Sequence, residues 1–146
     1  MTMKYELIVE PNTSLFRIKA LKDFANVKAG DLGGLIEKES NLSQDGNCWV
    51  HVNARVLGDA QVYGNAQVYG NARVSGHAWV HGNAQVYDNA QVFGDAQVSG
   101  NAWVLGAARV HGNAWVHGNA RVSYNAHVSD NAVIEQSMHI LLLLKI

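Results

Sequence analysis

A six-residue period runs through most of this chain and restricts its fold more than any other feature. From Ala54 to Ala132 every sixth residue is alanine, fourteen times without a gap; from Val50 to Val128 every sixth residue is valine, again fourteen times, and Ile134 continues the series. Ahead of each alanine stands a pair that is most often Gly-Asn, as at Gly64-Asn65, Gly70-Asn71, Gly82-Asn83 and Gly112-Asn113. The unit is V-x-G-N-A-x, and no insertion breaks its register between Cys48 and Ile134.

A period of six does not match the 3.6-residue α-helical turn, which would scatter the valines around its axis. Each unit does offer an extended piece such as Gln67-Val68-Tyr69, in which Val68 faces one way and its two neighbours the other. The Gly-Asn pair supplies a bend, because both residues tolerate positive φ, and alanine leaves room at a tight corner. Three straight pieces and three bends close a triangular coil of 18 residues. About fifteen hexads give about five coils, a prism roughly 24 Å tall at ~4.8 Å per coil. One valine column lines the interior from each wall, and backbone hydrogen bonds between coils make every coil depend on its neighbours.

An aliphatic residue followed four places later by a small one, as in Val56 with Ala60 and Val62 with Ala66, resembles the hexapeptide-repeat superfamily of left-handed parallel β-helices. The resemblance covers residues 46–135. The Gly-Asn-Ala phrasing and the lead-in Gly30-Asp31-Leu32-Gly33-Gly34-Leu35-Ile36-Glu37 look like uncharacterised hexapeptide proteins of bacteria and their phages. The resemblance implies an all-β, left-handed parallel β-helix and a homotrimer. It leaves activity open, because the superfamily includes acyltransferases, γ-class carbonic anhydrases and proteins of no known activity.

The flanks divide the chain into three parts. Residues 1–45 form an N-terminal cap: 4–9 read as a strand, Leu15–Ala20 as a second, with a turn at Pro11-Asn12. Residues 46–135 are the helix. Residues 136–146 hold the apolar run Ile140–Leu144, expected to form a capping or oligomer-joining strand because it would be an aggregation hazard if exposed. That run is too short to span a bilayer, and the first residues lack a signal-peptide core. The expectation is a cytoplasmic protein without membrane contact. A net charge of −1 gives no global attraction to duplex nucleic acid. Cys48 is the sole cysteine; it fills the alanine slot of its hexad and is expected to be buried and inert.

Function must sit on the outward columns, which sort by 18 into three walls. The first carries Trp49, Gln67, Gln85, Trp103 and Arg121 beside His51, Tyr69, Tyr87, Leu105 and Ser123. The second carries Arg55, Arg73, Gln91, Arg109 and His127 beside Leu57, Ser75, Phe93, His111 and Ser129. The third carries Gln61, Trp79, Gln97, Trp115 and Val133 beside Tyr63, His81, Ser99, His117 and Glu135. Aromatic and histidine residues at this density suit protein contacts, so the walls are expected to join subunits of a trimer. Arginine forks suit phosphate or carboxylate, and aromatic faces stack on bases. A small anionic, nucleotide-like ligand in clefts between subunits would therefore use Arg55, Arg73, Arg109, Trp79, His81, Trp115, His117, Trp103 and Tyr87. In a phage protein, such clefts would suit sequestration of a nucleotide signal.

Other chemistry finds less support in the residues. No loop is extruded from the repeats, and no acid stands out beside His81, His111 or His117 in the outward columns, so no catalytic residue is assigned. The histidines share no recognisable ligand spacing, so neither a metal nor a cofactor is assigned. An ice-binding threonine array is ruled out, the only threonines being Thr2 and Thr13. The leading expectation is a non-enzymatic homotrimeric binding module. A structural scaffold and a hexapeptide-family acyltransferase are the alternatives.

Overall fold

The computed structural model describes residues 3–136. Each hexad forms a two-residue strand made of an outward residue and its valine, from Trp49–Val50 to Val133–Ile134. Strands 18 residues apart pair in parallel: Gln85 lies between Gln67 and Trp103, and Val86 between Val68 and Val104. The ladder closes through bonds such as Trp79 N–H to Ala96 O at 3.0 Å and His81 N–H to Val98 O at 2.9 Å. Three sheets result, one for each wall. The repeat valines are at most 1% exposed, so they form the interior that the alternation requires. Each such burial contributes about 1.5–2 kcal/mol, which replaces a conventional layered core.

The corners differ from the sequence expectation in one respect. Only the first residue of the corner pair, glycine in most hexads, takes the left-handed conformation, as at Gly82 with φ +66°. A Cβ there would stand 2.9 Å from the backbone nitrogen of Gly100 in the next coil. The asparagine that follows does not need positive φ; on the corner between the third and first walls it builds a side-chain ladder. Asn65 donates to Asn83, Asn83 to Asn101 and Asn101 to Asn119, at 3.2, 3.2 and 3.3 Å. Asp88, Tyr124 and Asp130 occupy the glycine slot with φ of 58°, 57° and 57°.

The solenoid begins earlier than residue 46. Strands β1 (Tyr5–Val9) and β2 (Phe16–Ala20) form an antiparallel hairpin. Strand β3 (Leu32–Ile36) runs antiparallel to β2 and parallel to Arg55–Val56, so the hairpin prolongs the second wall into an eight-stranded sheet. Ile36 sits over Val56 and Leu42 over Val62, an added part-coil that brings the count to about six turns. The period hid this coil because its offset is 20 residues, not 18; two extra residues are taken up before Cys48. Gly34 is required here, since a Cβ would collide with the carbonyls of His51 and Ala54. The side chain of Asn41 braces the turn, accepting from Glu37 and Lys38 N–H and donating to Gly58 and Ala60 carbonyls.

The cap also overturns one outward assignment. Trp49 is 2% exposed, packed edge-on against Phe24 at 5.3 Å and Tyr5 at 6.2 Å. Beside it Lys4 is fully buried, its ammonium donating to the Cys48 carbonyl at 2.8 Å and approaching Cys48 Sγ at 3.3 Å. Burial drives the Lys4 pKa down and the Cys48 pKa up. The apolar run at 140–144 lies outside the described residues. Among the described residues no helix is long and apolar enough to cross a membrane.

Candidate binding walls

Outward side chains obey a diagonal rule set by the stacking of coils. The residue after a valine leans toward the residue before the valine of the next coil, sixteen positions on. His51 Nε2 thus meets Gln67 Oε1 at 2.8 Å, Tyr69 donates its hydroxyl to Gln85 Oε1 at 2.6 Å, and Trp115 Nε1 donates to Ser99 Oγ at 3.0 Å. Residues 18 apart stack face to face instead: Tyr63 with His81 at 4.7 Å, Tyr69 with Tyr87 at 4.7 Å, Phe93 with His111 at 4.6 Å. Much of the aromatic surface read from sequence as open is therefore spent within the wall. Burial in these stacks lowers the His81 pKa and raises those of Tyr69 and Tyr87.

The candidate residues fall on three different walls. Arg55, Arg73 and Arg109 are exposed on the second, with Arg55 and Arg73 in register on adjacent coils and Gln91 between Arg73 and Arg109. None of the three makes an ion pair among the described residues. Glu10 is held by Arg17 at 3.0 Å, which with a smaller contribution from Arg55 keeps its carboxylate pKa low. Trp79, His81, Trp115 and His117 stand on the third wall, where Trp79 and Trp115 are 41% and 43% exposed and alternate with Gln61 and Gln97. Tyr87 and Trp103 stand on the first. One chain does not bring the second-wall arginines and the third-wall tryptophans into a common cleft.

A pairing of the sought kind does occur on the first wall. The Arg121 guanidinium lies 4.1 Å from the Trp103 ring, an attractive cation–π placement. With Tyr87 and Tyr124 it borders a shallow groove of about 370 Å³. Arg121 was in the outward column but not among the candidates; the signal was its position 18 residues after Trp103.

One histidine outside the wall columns lies near an acid, at a distance beyond hydrogen bonding. His77 Nδ1 lies 3.6 Å from Asp59 Oδ2, and Asp59 in turn accepts from Lys38 Nζ at 2.6 Å. That contact lowers the Asp59 pKa. The pair sits on a corner, outside the outward columns that hold His81, His111 and His117. With Trp79, Gln61, Gln97 and Asp95 it lines an open groove of about 390 Å³. Among the described residues, no group of three or more His, Cys, Asp or Glu converges to hold a metal ion.

These walls define a parallel β-solenoid of hexapeptide coils. Two stretches, residues 66–82 and 96–112, match a family described as YdcK Beta solenoid repeat. The chain is also 48% identical over 40 residues to a protein of Escherichia coli K12 named "Uncharacterized acetyltransferase YdcK". The aligned stretch spans 27% of this chain and 12% of that relative. Coordinates and matches together fit a hexapeptide-repeat β-helix superfamily.

Proposed function

We propose that the chain is a rigid, non-enzymatic binding module that assembles as a homotrimer and holds a small anionic, nucleotide-like ligand between its subunits. The observation that carries this reading is the column of Arg55, Arg73 and Arg109 on one wall, with no ion pair among the described residues and Gln91 between the last two. Like charges on neighbouring strands oppose each other, by about 1 kcal/mol at hydrated contact distances. An anion bridging two guanidinium forks removes that repulsion and adds charge-assisted hydrogen bonds. Exposed Trp79 and Trp115, alternating with Gln61 and Gln97 in one column of the third wall, supply rigid apolar surface for a second copy. A neighbouring subunit can then bring a tryptophan wall opposite an arginine wall, which one chain by itself cannot do.

Sedimentation and isothermal titration of the full chain against a nucleotide panel test both halves. The expected result is a trimer that binds at least one nucleotide, loses that binding in Arg73→Ala, and weakens its assembly in Trp79→Ala. A monomer, or silence across the panel, refutes the reading. A second reading, an acyltransferase, draws on the His77–Asp59 pair and on the printed name of the E. coli relative. Turnover of an acyl-coenzyme A that disappears in His77→Gln supports it.

A further inference from the structure

Among the hydrogen-bonded diagonal pairs one differs chemically from the rest. His51–Gln67, Tyr69–Gln85 and Ser99–Trp115 each join two unlike polar groups. His111 and His127, also sixteen residues apart, join two imidazoles whose Nε2 atoms point at one another and meet. Their ring centroids are 4.5 Å apart and their planes tilted by 45°. Phe93 stacks on a face of His111 at 4.6 Å and 5°, which fixes the plane of that ring. Two nitrogens held on adjacent rigid strands and aimed at a common point have the arrangement of a chelate whose ordering cost is met by folding.

We propose that His111 and His127 form a two-histidine chelate on the second wall for a divalent transition metal ion of the zinc, nickel or copper kind. Neutral imidazole suits these ions over magnesium or calcium. Metal–nitrogen bonds of about 2.0–2.1 Å place two ligand nitrogens about 3 Å apart, so the side chains must rotate to part the Nε2 atoms and turn both lone pairs onto one ion. Both rings then carry their proton on Nδ1. No third protein ligand converges among the described residues, so water fills the remaining positions. Arg109, in register with His127, opposes a bound cation, and Asp130 partly offsets it. The site therefore ranks as a moderate chelate, and the proposal does not depend on the anion reading.

The test is titration of the full chain with Cu²⁺ and with Zn²⁺, each against a weak competing chelator. The wild type is expected to bind one ion at least about tenfold more tightly than His111→Gln or His127→Gln, the advantage of a second ligand held in place. His81→Gln is expected to match the wild type. Nitrogen-15 histidine spectra of the unmodified protein give a readout independent of any variant: Zn²⁺ moves the His111 and His127 signals together, at Nε2. Equal affinity in the wild type and both variants, or a shift confined to other histidines, overturns the proposal.

Discussion

Replacing Val86 by alanine probes the interior where it is least able to adjust. Val86 is fully buried, with Val68 and Val104 in register above and below it. The change removes two methyl-sized groups, about 1.6 kcal/mol of transfer free energy at ~0.8 kcal/mol each. The vacated volume, roughly 40 Å³, adds about 1 kcal/mol where the surroundings do not collapse. Collapse is resisted here because Gln85 N–H and Tyr87 N–H are bonded to Ala102 and Val104 of the next coil at 3.0 and 2.9 Å, so the wall has no freedom to move inward. The sum is about 2.5 kcal/mol, a fall of about 5–10 °C in Tm for a chain of this length. Val86→Asp leaves an unpaired carboxylate in the same place and costs several kcal/mol more. Gln85→Ala is the control: it faces outward and gives up one hydrogen bond, about 1 kcal/mol. Thermal melting followed by circular dichroism reads all three. A Val86→Ala protein that melts with the wild type, or a Gln85→Ala protein that loses more than Val86→Ala, refutes the inward assignment and the energetics built on it.

Gly82→Ala is expected to cost at least about 1–2 kcal/mol, since alanine must take a left-handed backbone against Gly100, whereas Tyr124→Gly, at a corner already left-handed without glycine, is expected to leave the melt within ~1 kcal/mol or raise it. Acidification gives a signed prediction. Burial holds the folded-state pKa values of His81 and His111 below 6.5, so as pH falls from 6.5 the unfolded chain takes up protons first and stability declines through that window. The fall in Tm between pH 7.5 and pH 5.5, about two units spanning that window, is expected to shrink in a His81→Asn, His111→Asn protein. Cys48, fully buried with its thiol pKa raised, is expected to resist iodoacetamide at pH 8 in the folded protein and to react after denaturation, as mass spectrometry would register.

The fold was legible because its signal is repeated. A valine at every sixth position specifies which side chain is inward at each strand, and alternation assigns the neighbours to walls without further information; the residue partners in the three sheets are those that counting by 18 provides. The first coil was not legible. Its offset of 20 residues breaks the count, and its interior is built from Ile36 and Leu42, which carry no valine pattern. The period assigns Trp49 to its column but not its burial, because what covers it, Tyr5 of the hairpin and Phe24 beyond it, lies 44 and 25 positions away.

The candidate site was legible only in part for a related reason. Wall membership follows from position in the period, so the arginine stripe and the two exposed tryptophans could be read in advance. Contacts between walls and corners, and the diagonal of sixteen that joins His111 to His127, depend on how side chains lean between stacked coils, which no one-dimensional pattern records. The amino-acid sequence by itself determined the solenoid of the repeats, its valine interior and the membership of each wall, because a buried residue at every sixth position, with alternation about it, fixes which side chains face in and which wall each neighbour joins. The tertiary structure alone decided which aromatics are spent on one another, which histidines meet, and where the chain closes its own end, because those depend on neighbours brought together by the stacking of coils.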